Sequence, residues 1–389
     1  MPVQLTSLRA IPLTATFAAM YGDESRVPDE IKRPSSHFQS IPRTGQFSTL
    51  VFAQASDGTH GYGECFGLPS PHAAAELVNR VIAPALVGRT MDNPSMMLDS
   101  VQRYFLALGH TKGTAREAVS GVDIALWDLI ARREDTPLHA LLGGEPKPIP
   151  TYVSPIPFLP HIDATAAAAR RVVQGFDAVK MKIGRDPADD LAHITAAREA
   201  LGPDIGLMLD ANCAYTLEQA LWLADKLAPL NINWLEEPLR PDDRAGLREL
   251  IARSSVPIAG GENEFTPSDI ITLVQECGLR IVQPNISRVG GVSAMLELDR
   301  LLTPFGGKIA PHGVGGSITV AASLHTCLAL QSFSVFEVNQ LPNPLRDDLG
   351  TSAHRGARGR MTPPSGPGHG SAVPEASITP YRDAAARVA

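Results

Sequence analysis

FDAVKMKIG (176–184) and the three segments that follow it, IGLMLDAN (205–212), NWLEEP (233–238) and PIAGGE (257–262), decide the fold. Each is a short apolar run that closes on a polar or charged side chain and then gives way to a helical pattern. TYVSP (151–155) stands before them, and RIVQPN (280–285), KIAPHG (308–313) and FSVFEV (333–338) continue the series. The eight runs start 23 to 29 residues apart, close to the length of one βα unit. Eight such units in a row predict a parallel (β/α)8 barrel. No helix is expected after the eighth run. The Pro- and Gly-rich tail from Gln340 is expected to leave the barrel and return to the N-terminal domain.

Upstream the pattern is different. Strand-like runs cover Val3–Ile11 and Thr49–Ala55, separated by an aperiodic polar stretch, Tyr21–Gln46. A structureless segment of that length inside a domain is often a lid or binding loop. From Ser70 to Leu142 the period turns helical. AREAVSGVDIALWDLIARR (115–133) places Val119, Val122, Ala125, Leu126, Leu129 and Ile130 on one face. The expected organisation is an α+β capping domain with substrate-specificity loops over 1–145, a barrel over 146–340 carrying metal and catalytic residues, and a tail over 341–389 packed back on the cap.

Composition removes several function classes. In 389 residues, 41 acids outweigh 34 Lys and Arg, a net charge of -7. That balance argues against phosphate neutralisation on a nucleic acid and against attraction to an anionic membrane. No run approaches 18 apolar residues, and the N-terminus lacks a basic start and a cleavage site. Cys65, Cys213, Cys277 and Cys327 are scattered, with no CxxC pair. They read as buried thiols of a cytoplasmic protein, with neither a disulfide framework nor a zinc knuckle.

Catalytic groups of a (β/α)8 barrel sit at the C-terminal strand ends. Here those ends carry Lys180 and Lys182, Asp210 and Asn212, Glu236, Glu262, Asn285, His312 and Glu337. Three carboxylates on successive strands repel one another unless a cation intervenes. Ligation by oxygen alone from Asp210, Glu236 and Glu262 suits Mg²⁺. Lys180 and Lys182, two residues apart on a strand, point to one side, with Val179, Met181 and Ile183 on the other. Two adjacent ammonium groups lower at least one pKa, which would make a lysine usable as a base. Glu237 is expected on the opposite face from Glu236, in a structural role. His312, in the glycine-rich APHGVGG, is a candidate for proton transfer. GYGECFG (61–67) does not fit a dinucleotide loop, because Phe66 takes the place of the third glycine.

Together these stretches, with AVSGVDIALWDLIARREDTPLHALLG (118–143) and EVNQLPNPLRDDL (337–349), resemble the enolase superfamily, within it the mandelate racemase-like group. The resemblance implies Mg²⁺, with Mn²⁺ as a possible substitute, on Asp210, Glu236 and Glu262. It implies that Lys182 removes the proton α to a substrate carboxylate, that Lys180 depresses the pKa of Lys182, and that His312 acts from the opposite face. Asn212, Asn285 and Glu337 are expected at the substrate. Specificity is expected from Ala18–Gln46 and Phe66–His72, with Tyr21 and Arg43 as contacts and Arg26, Arg33 and His37 as further candidates.

One departure stands out. The group carries an Asp after strand six, where this chain has Asn285; a neutral amide cannot support an imidazolium as a carboxylate does. The lysine that cycloisomerase relatives carry there is also absent, and Ser287 and Arg288 follow instead. The expected function is an acid-sugar dehydratase acting on a small polyhydroxy carboxylate. The alternatives are a racemase or epimerase of an α-substituted carboxylate and a barrel that binds metal and ligand without turnover. A homo-oligomer is expected.

Overall fold

A computed structural model describes residues 2–382. The last seven residues of the expected tail, 383–389, lie outside the described residues. The N-terminal region is a three-stranded antiparallel sheet, β1 (Leu5–Thr16), β2 (Gly45–Ala55) and β3 (His60–Phe66), in that order. Helices Pro71–Leu77 and Thr114–Arg133 pack on it, and Pro94–Ala107 packs on Thr114–Arg133. The sequence picked out two strands here; GYGECFG turned out to be the third. Its glycines serve close packing: a Cβ on Gly63 would stand 1.9 Å from the Gly121 carbonyl oxygen. Only glycine lets the strand lie this near the helix.

The helix Thr114–Arg133 was expected to bury one face. It is buried on nearly every side, because it is sandwiched between the sheet and the barrel. Arg116 donates to the carbonyls of Phe265 and Val289, and Ser293 Oγ and backbone N–H both donate to Asp123. Polar residues inside that helix therefore serve as partners for the barrel helices.

The barrel strands follow as β4 (Thr151–Ile156), β5 (Ala178–Lys182), β6 (Gly206–Asp210), β7 (Ile232–Glu236), β8 (Ile258–Gly260), β9 (Ile281–Val282), β10 (Lys308–Ile309) and β11 (Phe336–Asn339). All pair in parallel in the order β10-β9-β8-β7-β6-β5-β4-β11. The ring closes just ahead of β11: Ile309 N–H donates to the Ser332 carbonyl and Ser334 N–H to the Ile309 carbonyl, both at 2.9 Å. β11 is followed by the one-turn helix Pro344–Asp347 in place of a full barrel helix, and a second short helix, Glu375–Ile378, lies further along the tail.

Period two holds along β5. Val179, Met181 and Ile183 join the core under the outer helices, while Lys180 points inward above Tyr152. Tyr152, Met208, Trp234, Ala259 and Ala310 fill the barrel beneath. The tail returns to the cap. His369 N–H donates to Asp128, Leu138 N–H donates to the Gly368 carbonyl, and Gly368 N–H donates to the Thr136 carbonyl. A short hairpin, β12 (His354–Arg355) with β13 (Met361–Thr362), precedes that return and meets Ile149.

Candidate active site

The C-terminal ends of β5 to β8 bring the expected residues together. One ligand oxygen from each of Asp210, Glu236 and Glu262 lies within 4.8 Å of the others. Lys180 is fully buried and within reach of three acids: Glu236 Oε1 at 2.6 Å, Glu337 Oε1 at 3.1 Å and Asp210 Oδ2 at 3.6 Å. Lys182 Nζ lies 2.5 Å from Asp210 Oδ2 and 3.0 Å from Asn212 Oδ1. Trp234 Nε1 and Gln283 Nε2 donate to Glu236 Oε2.

The charges do not balance. Asp210, Glu236, Glu262 and Glu337 are four carboxylates against the ammoniums of Lys180 and Lys182. Fully ionised, they leave two negative charges in a buried site. Burial pushes the Glu236 carboxyl up, and Asp210 and Glu262 add to the push against Lys180. Among the described residues Glu262 Oε2 is buried with no hydrogen-bond partner. A divalent cation on Asp210, Glu236 and Glu262 would cancel the excess and satisfy that oxygen, and an all-oxygen donor set fits a hard ion. The residues present therefore fit Mg²⁺.

The lysine pair departs from expectation. Burial opposes the charge on Lys182, and Lys180 opposes it too, but Asp210 with Glu262 and Glu236 outweighs them, so its pKa lies above the ordinary lysine value. Lys180 is likewise raised, since Glu236, Glu337 and Asp210 overcome its burial. Mutual repulsion of two ammoniums governs only where nearer carboxylates are otherwise engaged.

Across from Lys182, His312 Nε2 lies 3.4 Å from Glu262 Oε2. Burial holds the imidazole below its ordinary pKa, against the pull of Glu262 and Glu337. The Asn285 amide is oriented without ambiguity by backbone groups: Oδ1 accepts from Ser287 N–H at 2.9 Å and Nδ2 donates to the Val314 carbonyl at 2.8 Å. Nδ2 also faces His312 Nδ1 at 3.1 Å. A donor there makes Nδ1 an acceptor and leaves the ring proton on Nε2.

Above these groups is a cavity of about 500 Å³, roofed by the capping loop through Pro34, His37, Phe38 and Arg43 and by Phe66 and Leu68. Ser36 Oγ donates to the Ala211 carbonyl, which docks the loop on the barrel mouth. Lys182, Asn212, Glu262 and His312 line the cavity; Lys180, Asp210 and Glu236 lie beneath it.

Three expected contacts fall elsewhere. Tyr21 packs with Phe17, Val27 and Ile31 on the capping loop and does not reach the cavity. Asn285 is fully buried behind His312. Glu337 spends Oε1 on Lys180 and Oε2 on the Gly313 N–H, so it braces the loop that carries His312.

Glu237 is the opposite case. It was assigned to the outer face, yet it lines the cavity and accepts from Asn263 Nδ2 at 2.9 Å. The strand ends at Glu236, and Glu237 has φ +41°, so alternation stops before it. Burial, then Glu262 and Asp210, push its carboxyl well up. Arg288, Asn263 and Asn343 also line the cavity and were not singled out as contacts, since each lies beyond a strand end.

A closed parallel barrel with a metal-ligand triad under an α+β cap defines a class of enzymes. Residues 163–377 match the family described as enolase C-terminal domain-like, and residues 28–143 the mandelate racemase / muconate lactonizing enzyme N-terminal domain. The chain belongs to the enolase superfamily, in its mandelate racemase and muconate lactonizing enzyme group. It is 31% identical to a D-galactarolactone cycloisomerase of Agrobacterium fabrum over 86% of this chain and 90% of that one. It is 28% identical to an arabinonate dehydratase of Saccharolobus solfataricus, over 85% and 89%. A Streptomyces coelicolor racemase solved with bound magnesium superposes with a TM-score of 0.85 at 26% identity, over 97% of this chain and all of that one. The site and these relatives support a metal-dependent, enediolate-type enzyme of acid-sugar metabolism.

Proposed function

We propose that the protein removes the proton α to the carboxylate of a polyhydroxy acid and then eliminates water from the β-position. The carrying observation is Lys182 Nζ on the cavity floor, 2.5 Å from Oδ2 of Asp210, one of the three acids that would hold the metal, with His312 Nε2 beside Glu262 on the other side. Mg²⁺ on Asp210, Glu236 and Glu262 would supply positive charge where the substrate carboxylate turns into an enediolate, and would draw on the carboxylates that otherwise hold the proton on Lys182.

Lys182 Nζ then accepts the α-proton, steadied by the Asn212 amide oxygen. Lys180, fixed below by Glu236 and Glu337, disfavours a second charge close by. His312 presents an Nε2–H donor to the departing hydroxyl, which leaves as water on taking up the proton that Lys182 has accepted, so that Lys182 returns to its neutral amine. His312 Nδ1 is covered by the Asn285 amide, so the imidazole does not act as the base of a two-base racemase. The capping loop closes the cavity over the reacting atoms.

That same neutral histidine favours one further reading. A donor that cannot easily become an imidazolium offers a hydrogen bond more readily than a whole proton. An elimination whose leaving oxygen departs as a stable carboxylate, as from a lactone, suits it as well as dehydration does. Incubating the Mg²⁺-loaded enzyme with aldonic and aldaric acids and their lactones, with detection of 2-keto-3-deoxy acids, tests both. Product from hydroxy acids supports dehydration, and product from lactones alone supports the second reading. No product from any member of the panel contradicts the proposed chemistry.

A further inference from the structure

Among the described residues three arginines line the cavity, and two already have a counter-charge. Arg346 makes a two-point pair with Asp347, Nε to Oδ1 at 2.9 Å and Nη2 to Oδ2 at 3.0 Å. Arg288 Nε lies 3.3 Å from Glu117 Oε1, and its Nη1 donates to the Glu262 carbonyl and to Asn263 Oδ1. Arg43 is different. Among the described residues it has no carboxylate partner.

Its surroundings hold it in place without neutralising it. The guanidinium carbon lies 5.7 Å from the Phe17 ring centre and 5.4 Å from that of Phe38. Nη2 donates to Gln46 Oε1 at 2.5 Å, and Gln46 is itself pinned through Nε2 to the Pro342 carbonyl. Nε is buried with no acceptor among the described residues. Burial brings the Arg43 pKa down to about 10, so it stays charged at neutral pH. A partly buried, ordered cation without an anion is costly to keep, and a planar guanidinium fork matches a carboxylate.

Position completes the argument. The metal ligands sit on the barrel at the cavity floor, and Arg43 sits in the cap that roofs it. His37 stands within electrostatic reach of both, feeling Lys182, Glu262 and Asp210 as well as Arg43. We propose that the substrate is a dicarboxylate, whose reacting carboxylate meets the metal ligands and whose distal carboxylate pairs with Arg43. The proposal rests on the function given above and names the substrate class within it. An aldaric acid, or a derivative that keeps both carboxylates, meets the requirement; an aldonic acid leaves Arg43 unpaired.

The test titrates the Mg²⁺-loaded full-length protein with each six-carbon aldaric acid and its matched aldonic acid, by calorimetry and, where product forms, by kcat/KM. A six-carbon aldonic acid phosphorylated at its far end is a third arm. At least one diacid should be favoured over its monoacid about ten- to a hundred-fold, the size of a charged hydrogen-bonded pair. Arg43→Gln should remove that preference, mainly through Kd and KM, and Arg43→Lys should keep part of it. Gln46→Glu gives Arg43 an internal counter-charge while leaving it in place, and should remove the preference independently.

Equal affinity for diacid and monoacid, a preference that survives both Arg43→Gln and Gln46→Glu, a stronger preference for the phosphorylated acid, or no binding of any diacid would each overturn the proposal. Turnover of monoacids without a diacid preference overturns this subsite and leaves the elimination chemistry standing. Tight diacid binding without product does the reverse.

Discussion

Asn285 Nδ2 faces His312 Nδ1 at 3.1 Å, and the amide cannot turn round. Ser287 N–H and the Val314 carbonyl hold its two ends in one orientation. His312 is therefore expected as the neutral tautomer with its proton on Nε2. In ¹⁵N-labelled protein at pH 7, long-range proton–nitrogen spectra should show an unprotonated Nδ1 and a protonated Nε2. A protonated Nδ1 would refute the assignment.

The same geometry predicts the cost of Asn285→Asp. A carboxylate in that position keeps its bond from Ser287 but turns an oxygen toward the Val314 carbonyl. Loss of a buried donor against a carbonyl costs roughly 1–3 kcal/mol. Urea unfolding at pH 7 should show a loss of that size. An equally stable variant would mean that the loop around Val314 rearranges.

Excess negative charge in the site predicts metal-linked stability. Mg²⁺ at a hundredfold excess over its Kd should stabilise the fold by about 2.7 kcal/mol, and chelator should remove that gain. Glu262→Gln removes one of the crowded carboxylates. It should leave the metal-free protein at least as stable while weakening the Mg²⁺-induced rise in Tm. Mn²⁺ should give the same pattern. An undiminished rise in the variant would remove Glu262 from the ligand set.

How much of this could be read from the sequence follows from which residues obey a period. Lys180, Lys182, Asp210 and Glu236 lie on strands, where alternation fixes the facing, and the barrel mouth was legible through them. Glu237 lies one residue past a strand end at positive φ, and no period reaches it. The direction of the Lys182 shift was misread for a related reason. Spacing along β5 shows the neighbouring lysine but not the Asp210 oxygen 2.5 Å away on the next strand. Tyr21 and Arg43 share one aperiodic loop, so only the folded cap could show that one lines the cavity and the other does not.

Lys180 predicts a large structural effect. It is fully buried among Glu236, Glu337 and Asp210. Lys180→Met would leave those acids with Lys182 alone, and breaking a buried pair costs about 3–5 kcal/mol. Denaturant unfolding of the metal-free protein should show that loss. A loss below about 1 kcal/mol, the worth of an exposed pair, would contradict the burial of the network.

A buried histidine contributes to the acid sensitivity of the fold. His325 stacks near His139 and meets the Pro364 carbonyl through Nε2. Burial, with His369 and His139 adding to it, brings its pKa down from 6.5 to about 3. Between those values the unfolded chain takes up a proton that the folded chain refuses, so stability falls as pH falls. The contribution is full above pH 6.5, and each unit below costs up to about 1.4 kcal/mol. His325→Gln should reduce the difference in unfolding free energy between pH 7 and pH 5. An unchanged difference would place the acid sensitivity elsewhere.

The central claim is that Lys182 takes the α-proton. The direct measurement is wash-in of deuterium at the α-carbon in D₂O, followed by NMR, with Mg²⁺-loaded enzyme and an acid shown to bind. The wild type should exchange that proton, and Lys182→Ala, with Mg²⁺ binding verified by calorimetry, should lose exchange by at least a hundred-fold, as for removal of a general base. Exchange undiminished in Lys182→Ala would contradict the account. A wild type that binds acid and metal without exchange would make the barrel a binding protein instead.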